Sequence, residues 1–159
     1  MIDLSYILEL LCHGISAMDF ASFLNRAALG TMFGISGFHK TFNVGNRRNS
    51  LIGALEHGKI PYPRIMCWPV AITEMVAGAA VVIGLATAFF AMALFTISFV
   101  AFMTVERHEI AKMNPINRFD WISSLFWIPA VLFCIQAITV VFGGPNPYSV
   151  DAVLLASML

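Results

Sequence analysis

RAALGTMFGISGFHK, residues 26–40, begins and ends with a cation and is otherwise apolar, small or weakly polar. On an α-helix, at about 100° per residue, Arg26, Gly30, Gly37 and Lys40 fall within about 80° of one another. Small residues on one face of a membrane helix allow a neighbouring helix to approach closely. We therefore expect this stretch to form a helix whose charged face is also its packing face.

The composition predicts an integral membrane protein. Of the 159 residues, 59% are hydrophobic and 11% are charged, against about 45–50% and about 25% in an average soluble domain. Residues 85–105 and 121–150 contain no charged side chain, and roughly 20 apolar residues suffice for a membrane-spanning helix. The alternative, a soluble protein with several buried helices, rarely needs uncharged runs of this length. The net charge of zero does not point to nucleic acid as a partner.

The hydrophobic runs predict an all-α fold, an integral membrane four-transmembrane-helix bundle. The four predicted spans are residues 20–38, 68–85, 89–105 and 121–142. We expect Pro129 to kink the fourth span, because proline cannot donate a backbone hydrogen bond within a helix.

The N-terminus predicts a separate amphipathic helix over residues 1–18, followed by a single transmembrane domain over residues 19–159. Polar residues recur at steps of three and four among apolar ones, at Asp3, Tyr6, Glu9, His13 and Ser16. This pattern is typical of a helix that lies on a membrane surface or on a protein partner. Both alternatives remain open.

The cations predict the orientation. Eight of the nine Lys and Arg residues fall in the two loops on one side of the predicted bundle: Lys40, Arg47, Arg48, Lys59, Arg64, Arg107, Lys112 and Arg118. Short loops rich in Lys and Arg remain in the cytoplasm. We therefore expect both termini to be extracytoplasmic.

Two charged residues, Arg26 and Glu74, fall inside predicted spans. Charged groups at membrane depth usually face the bundle interior or a wet cavity. Since Ala71, Glu74 and Gly78 share a helix face, we expect the first two spans to pack through these faces, with Glu74 paired to Arg26 or to Lys40. Glu74 is the best candidate partner for Arg26. The charges either form an ion pair that fixes helix register or line a polar pocket for a quinone headgroup, a lipid headgroup or a small substrate.

Five short motifs occur in series along the chain. They are LNRAALGTMFGISGFHK with Arg26, Gly30, Gly37 and Lys40; LIGALEHGKIPYP with Gly58, Pro61 and Pro63; AITEMVAGAAVVIGL with Glu74, Gly78, Gly84 and Leu85; AFMTVERHE with His108; and GGPNPYSVDAVL with Tyr148, Ser149 and Asp151. In this order and spacing they resemble the DoxX-like family of small four-helix membrane proteins. The resemblance implies a prokaryotic inner-membrane protein whose relatives are associated with quinone-linked oxidation, notably of thiosulfate, and with redox complexes.

The expected function is that of an integral subunit that anchors or stabilises a larger, redox-linked membrane complex and is not catalytic by itself. The alternative is a quinone-binding subunit of a thiosulfate:quinone type oxidoreductase; a small transporter is a weaker hypothesis. We predict no catalytic residue, no metal site and no covalently bound cofactor. The residues predicted to line a quinone or lipid pocket are Arg26, Lys40, Glu74 and His108. The expected partners are the lipid bilayer and other membrane subunits.

Overall fold

The computed structural model describes residues 17–113, 115–144 and 147–158. In this part of the chain all regular structure is helical. The helices are α1 (Ala17–Thr41), α2 (Arg47–His57), α3 (Pro63–Ile83), α4 (Thr87–Ala101), α5 (Arg107–Lys112), α6 (Arg118–Phe126), α7 (Pro129–Gly143) and α8 (Val150–Met158). A 3₁₀ turn over Val44–Asn46 precedes α2, and a π-helical turn over Phe102–Glu106 follows α4.

Among the described residues, two helical stretches are long and apolar enough, by length and composition, to cross a membrane: α3 and the continuous segment Thr87–Glu106. A third qualifies when α6 and α7, which are bent by 70° at their junction, count as one span. Helix α1 is longer, with 25 residues, but Asp19, Arg26 and Lys40 make it less apolar. The all-helical fold class is therefore confirmed, together with two or three of the predicted spans.

The bend between α6 and α7 confirms the kink predicted at Pro129. Ile128, which precedes the proline, is extended with φ −90° and ψ 116°. The proline ring disfavours helical backbone at the preceding residue. Helix α6 therefore ends at Phe126, and α7 begins in a new direction.

The predicted amphipathic helix at residues 1–18 falls largely outside the described residues. Only its last two positions, Ala17 and Met18, are described, and they belong to the first turn of α1.

Helices α1 and α3 pack closely through glycines, as the shared small-residue faces predict. A Cβ atom placed on Gly30 would lie 2.6 Å from the carbonyl oxygen of Gly78. A Cβ on Gly37 would collide with the backbone of α3 at Met75. Only glycine permits this approach, since real Cβ atoms do not come within 3.0 Å of a backbone atom. The two backbones are therefore in direct contact on both sides of Glu74.

The second main helix pair is α4 with α7, and α3 packs against α4 to join the two pairs. Their shared core consists of Leu29, Phe33, Ala77, Val81, Ala91, Leu94, Ala137 and Val140. Outside this core many large apolar side chains face outward, including Phe89 and Phe142, which are 72% and 85% exposed. Apolar surface of this kind matches a lipid environment.

Replacing glycine by alanine should have opposite effects on stability at Gly78, inside the α1–α3 contact, and at Gly53, outside it. Gly78→Ala should lower the free energy of unfolding by about 1–3 kcal/mol, because the added methyl group overpacks the α1–α3 contact. Gly53→Ala in α2 is the matched control. Nothing lies within 4 Å of a Cβ there, so alanine should stabilise the helix by up to about 1 kcal/mol. Thermal unfolding of the detergent-solubilised protein measures both changes. Equal effects of the two variants would contradict the packing described.

Candidate functional site

A partly open cavity of about 180 Å³ lies between α1, α3, α4 and α7. Its polar lining consists of Ser36, Lys40, Glu74, Ser98 and Glu106. Apolar side chains, among them Phe33, Ile97 and Phe133, form the rest of the wall. A cavity with a few polar groups in a mainly apolar wall is typical of a small-molecule site.

Lys40 and Glu74 form an ion pair at this cavity. The Lys40 Nζ atom lies 2.7 Å from Oε1 and 2.6 Å from Oε2 of Glu74, and the Ser36 hydroxyl donates to Oε2 at 3.2 Å. The Glu74 side chain is 4% exposed and that of Lys40 is 21% exposed. Because Gly37 brings the backbone of α1 against that of α3, Ser36 and Lys40 are both within reach of the carboxylate. Of the two partners that the sequence left open for Glu74, the structure shows Lys40. The expectation that Glu74 is the partner of Arg26 was wrong, because Arg26 donates to the backbone carbonyl of Tyr148 instead.

Arg48 holds the end of α1 that carries Lys40. Its side chain donates to the backbone carbonyl oxygens of Lys40, at 3.1 Å, and of Thr41. Its guanidinium group also lies over the ring of Trp68, 4.1 Å from the centroid. Arg48 therefore donates to carbonyl groups at the C-terminal end of α1, where helix carbonyls lack intrahelical partners, and ties α1 to the start of α3.

Glu106 lines the cavity, although the sequence did not place it in the predicted quinone or lipid pocket. It ends the π-helical turn after α4, and its Oε2 atom accepts a hydrogen bond of 3.1 Å from the backbone N–H of Ala130. That N–H lies in the first turn of α7, where the helix dipole favours a carboxylate. The π-helical turn and this hydrogen bond to α7 thus hold Glu106 at the cavity. π-Helical turns occur frequently at functional sites, but no sequence pattern marks this one.

Arg26 lies in a different part of the molecule. It is 2% exposed, and its Nη2 atom donates to the backbone carbonyl of Tyr148 at 2.8 Å. The Nε and Nη1 atoms make no hydrogen bond to any described residue. Arg26 thus secures the segment before α8 and does not line the cavity with Lys40 and Glu74.

Asp151 lies at the same end of the bundle as Arg26. Its carboxylate accepts hydrogen bonds from the backbone N–H groups of Ala86 (2.7 Å) and Thr87 (2.9 Å) and from the Thr87 hydroxyl (2.8 Å). Ala86 at the N-cap of α4 has no side-chain acceptor, so Asp151 caps that helix. Burial acts to raise the pKa of Asp151, but the hydrogen bonds from Thr87 and Ala86 and the charge of Arg26 outweigh it and hold the pKa below its usual value.

His108 is exposed at the surface of α5. Its ring lies edge-on to that of His57, with 6.3 Å between the centroids, a pairing that their distant sequence positions did not suggest. Within the described residues no group of three or more His, Cys, Asp or Glu side chains is placed to hold a metal ion. The structure therefore brings Lys40 and Glu74 together and leaves Arg26 and His108 apart from them; a ligand-binding role for these four residues stays a prediction.

Comparison with known proteins identifies one family. The model of the DoxX family matches residues 21–107, more than half of the chain. The matched region contains Lys40, Glu74 and Glu106 and ends before His108 and Asp151. No curated protein and no solved structure matches the chain.

The contacts of Asp151 predict a pH-dependent contribution to stability. Because the folded-state pKa is lowered, the contribution is complete above about pH 4, the ordinary aspartate range, and is lost as the pH falls through the lowered pKa. Asp151→Ala should therefore lower the free energy of unfolding at pH 7 by about 1 kcal/mol, as loss of a helix cap does. The difference from wild type should shrink below about pH 4. Thermal unfolding between neutral and acidic pH measures this. Glu56→Ala, at an exposed position, is the control, and a difference that grows as the pH falls would contradict the assignment.

Proposed function

The chain belongs to the DoxX family. On that premise we propose that it is a four-span subunit of a redox-linked membrane complex. We further propose that the cavity of this subunit binds a quinone headgroup. The family is membrane-associated. The single observation that carries the ligand proposal is the cavity at the Lys40–Glu74 pair.

The four proposed spans are α1, α3, the segment Thr87–Glu106 and the bent pair of α6 and α7. With 25 residues and a rise of about 1.5 Å per residue, α1 is long enough for a hydrocarbon core of about 30 Å. Arg26 and Glu74 are both buried, and Lys40 pairs with Glu74 within the bundle. Their charges therefore do not oppose insertion as charges facing lipid do.

The proposed location is the inner membrane of a prokaryote, with both termini outside the cytoplasm. Eight of the nine Lys and Arg residues lie in the loops or at the helix ends on one side, and they support this orientation. The cavity then opens in the cytoplasmic half of the bundle, since Lys40 and Glu106 lie at the cation-rich ends of their helices.

The dimensions and polarity of the cavity fit a quinone headgroup. An apolar cavity of about 150 Å³ admits benzene, so a volume of about 180 Å³ accommodates one six-membered ring. The apolar walls at Phe33 and Phe133 suit the faces of a ring, and the Lys40 ammonium offers a hydrogen-bond donor at its edge. A pair that only fixes helix register does not require a cavity beside it.

In the proposed complex this chain binds and orients the headgroup, and another subunit supplies the electrons. The polar stripe predicted along residues 1–18 suits a helix that docks on such a subunit. Lys40 and Glu74 hold charges at the headgroup, and the apolar wall contacts its ring.

The orientation is testable with fused reporters. Alkaline phosphatase joined after the last residue should be active, because this enzyme needs export, and green fluorescent protein at the same position should be dark. Fusions that end at Lys59 should give the opposite result. Phosphatase activity in fusions ending at Lys59 would contradict the proposed topology.

Ligand binding is testable without destroying the fold. The double variant Lys40→Met/Glu74→Met replaces a buried ion pair by apolar groups of similar volume, which is often neutral for stability. It should bind a short-chain quinone about tenfold or more weakly than wild type, as expected when a hydrogen bond to a charged group is lost. Isothermal titration calorimetry in detergent measures the affinity, and thermal unfolding checks the fold.

The matched control is Thr139→Val, which removes the hydrogen bond of 2.7 Å from Asn25 to Thr139 away from the cavity. It should bind the quinone as wild type does. A folded double variant with wild-type affinity would overturn the ligand proposal.

A further inference from the structure

The hydrogen-bond donors at the cavity are largely used within the protein. The ammonium of Lys40 has three N–H donors and directs two of them to the two oxygens of Glu74, at 2.7 and 2.6 Å. The Ser36 hydroxyl donates to Glu74 at 3.2 Å. The Ser98 hydroxyl donates to the carbonyl of Leu94 at 2.9 Å. Of the side-chain donors in the lining, one N–H of Lys40 remains for a ligand.

The acceptors are in excess. Glu106 uses one oxygen for the N–H of Ala130, and its other oxygen, Oε1, has no hydrogen bond to a described residue. The oxygens of Ser36 and Ser98 keep lone pairs after their protons are directed elsewhere. The polar wall thus presents a carboxylate oxygen and two hydroxyl oxygens as acceptors against a single available donor.

The charged side chains that line the cavity carry an excess of negative charge. The lining contains one ammonium, on Lys40, and two carboxylates, on Glu74 and Glu106. This excess of negative charge disfavours anionic ligands such as a phosphate headgroup or an oxyanion of sulfur. It favours a ligand that donates hydrogen bonds.

We propose that the cavity binds the reduced form of the headgroup, the quinol, in preference to the oxidised quinone. This inference rests on the proposed function and specifies the ligand of the same site. A quinone ring carries two carbonyl oxygens and no donor, so it can satisfy only the remaining N–H of Lys40 and leaves the Glu106 carboxylate facing another acceptor. The two hydroxyl groups of the quinol can donate to Glu106 and to a serine oxygen and can accept from Lys40.

Glu106 is the residue that decides this preference. In the cavity lining, its carboxylate keeps one oxygen without a hydrogen bond to a described residue, whereas Glu74 is occupied by Lys40 and Ser36. Hydrogen bonds to charged groups are the stronger ones, so the bond from a quinol hydroxyl to Glu106 accounts for most of the difference between the two forms.

The test compares tetramethyl-1,4-benzoquinone with its hydroquinone, which share one ring and one set of substituents. Both are titrated anaerobically into the full-length protein in detergent, with calorimetry as the readout. The hydroquinone should bind about tenfold or more tightly, the factor expected for one hydrogen bond to a charged group. Equal affinities, or tighter binding of the quinone, would overturn the inference and leave the proposed function standing. If neither ring binds, the proposed function itself fails.

Glu106→Gln is the informative variant. Its amide oxygen can still accept from Ala130, but the charge is lost and a donor is gained, so the affinity ratio should fall toward one. Glu56→Gln on α2, which does not line the cavity, should keep the wild-type ratio. A folded Glu106→Gln protein with the wild-type ratio would overturn the role of Glu106. The ratio measured on the wild-type protein tests the preference without any variant.

Discussion

The direct backbone contact between α1 and α3 is the constraint on which the rest of the structure depends. Gly30, Gly37 and Gly78 carry no side chain, and any Cβ at these positions would overlap the facing helix. This contact brings Lys40 and Ser36 to Glu74, so that a carboxylate inside an apolar helix acquires its partners. An unpaired charge there would be strongly unfavourable, so the glycine packing and the ion pair depend on each other.

The two ends of the bundle use their polar groups differently. At one end Arg26 and Asp151 make contacts that hold α8 against the α3–α4 turn, where Asp151 caps α4. These contacts give Asp151 a role in helix capping and Arg26 a role in attaching the segment before α8. At the other end Lys40, Glu74 and Glu106 surround a cavity, and Arg48 holds the α1 terminus in place. An ion pair that borders a cavity has polar groups available to a ligand, and we therefore place the proposed function there.

The sequence predicted the features that follow from one helix and its immediate neighbour. Helical periodicity was enough to place Gly37 and Glu74 on facing surfaces, and Pro129 was enough to predict the bend. The choice between Arg26 and Lys40 as the partner of Glu74 needed the actual depth and tilt of the helices, which one-dimensional spacing does not contain. Glu106 was missed as a cavity residue because its place depends on a π-helical turn and on the start of α7. The role of Arg26 depends on the segment before α8, which approaches it from the far end of the chain.

The most direct test of the central claim is a cryo-EM structure of the assembly purified from native membranes in the presence of a hydroquinone. The account predicts stoichiometric neighbouring subunits and planar density in the cavity, within hydrogen-bond distance of Glu106 and beside the Lys40–Glu74 pair. A solitary protein whose cavity is filled by its own side chains, with Lys40 and Glu74 paired as before, would contradict the claim and leave the ion pair with a purely structural role.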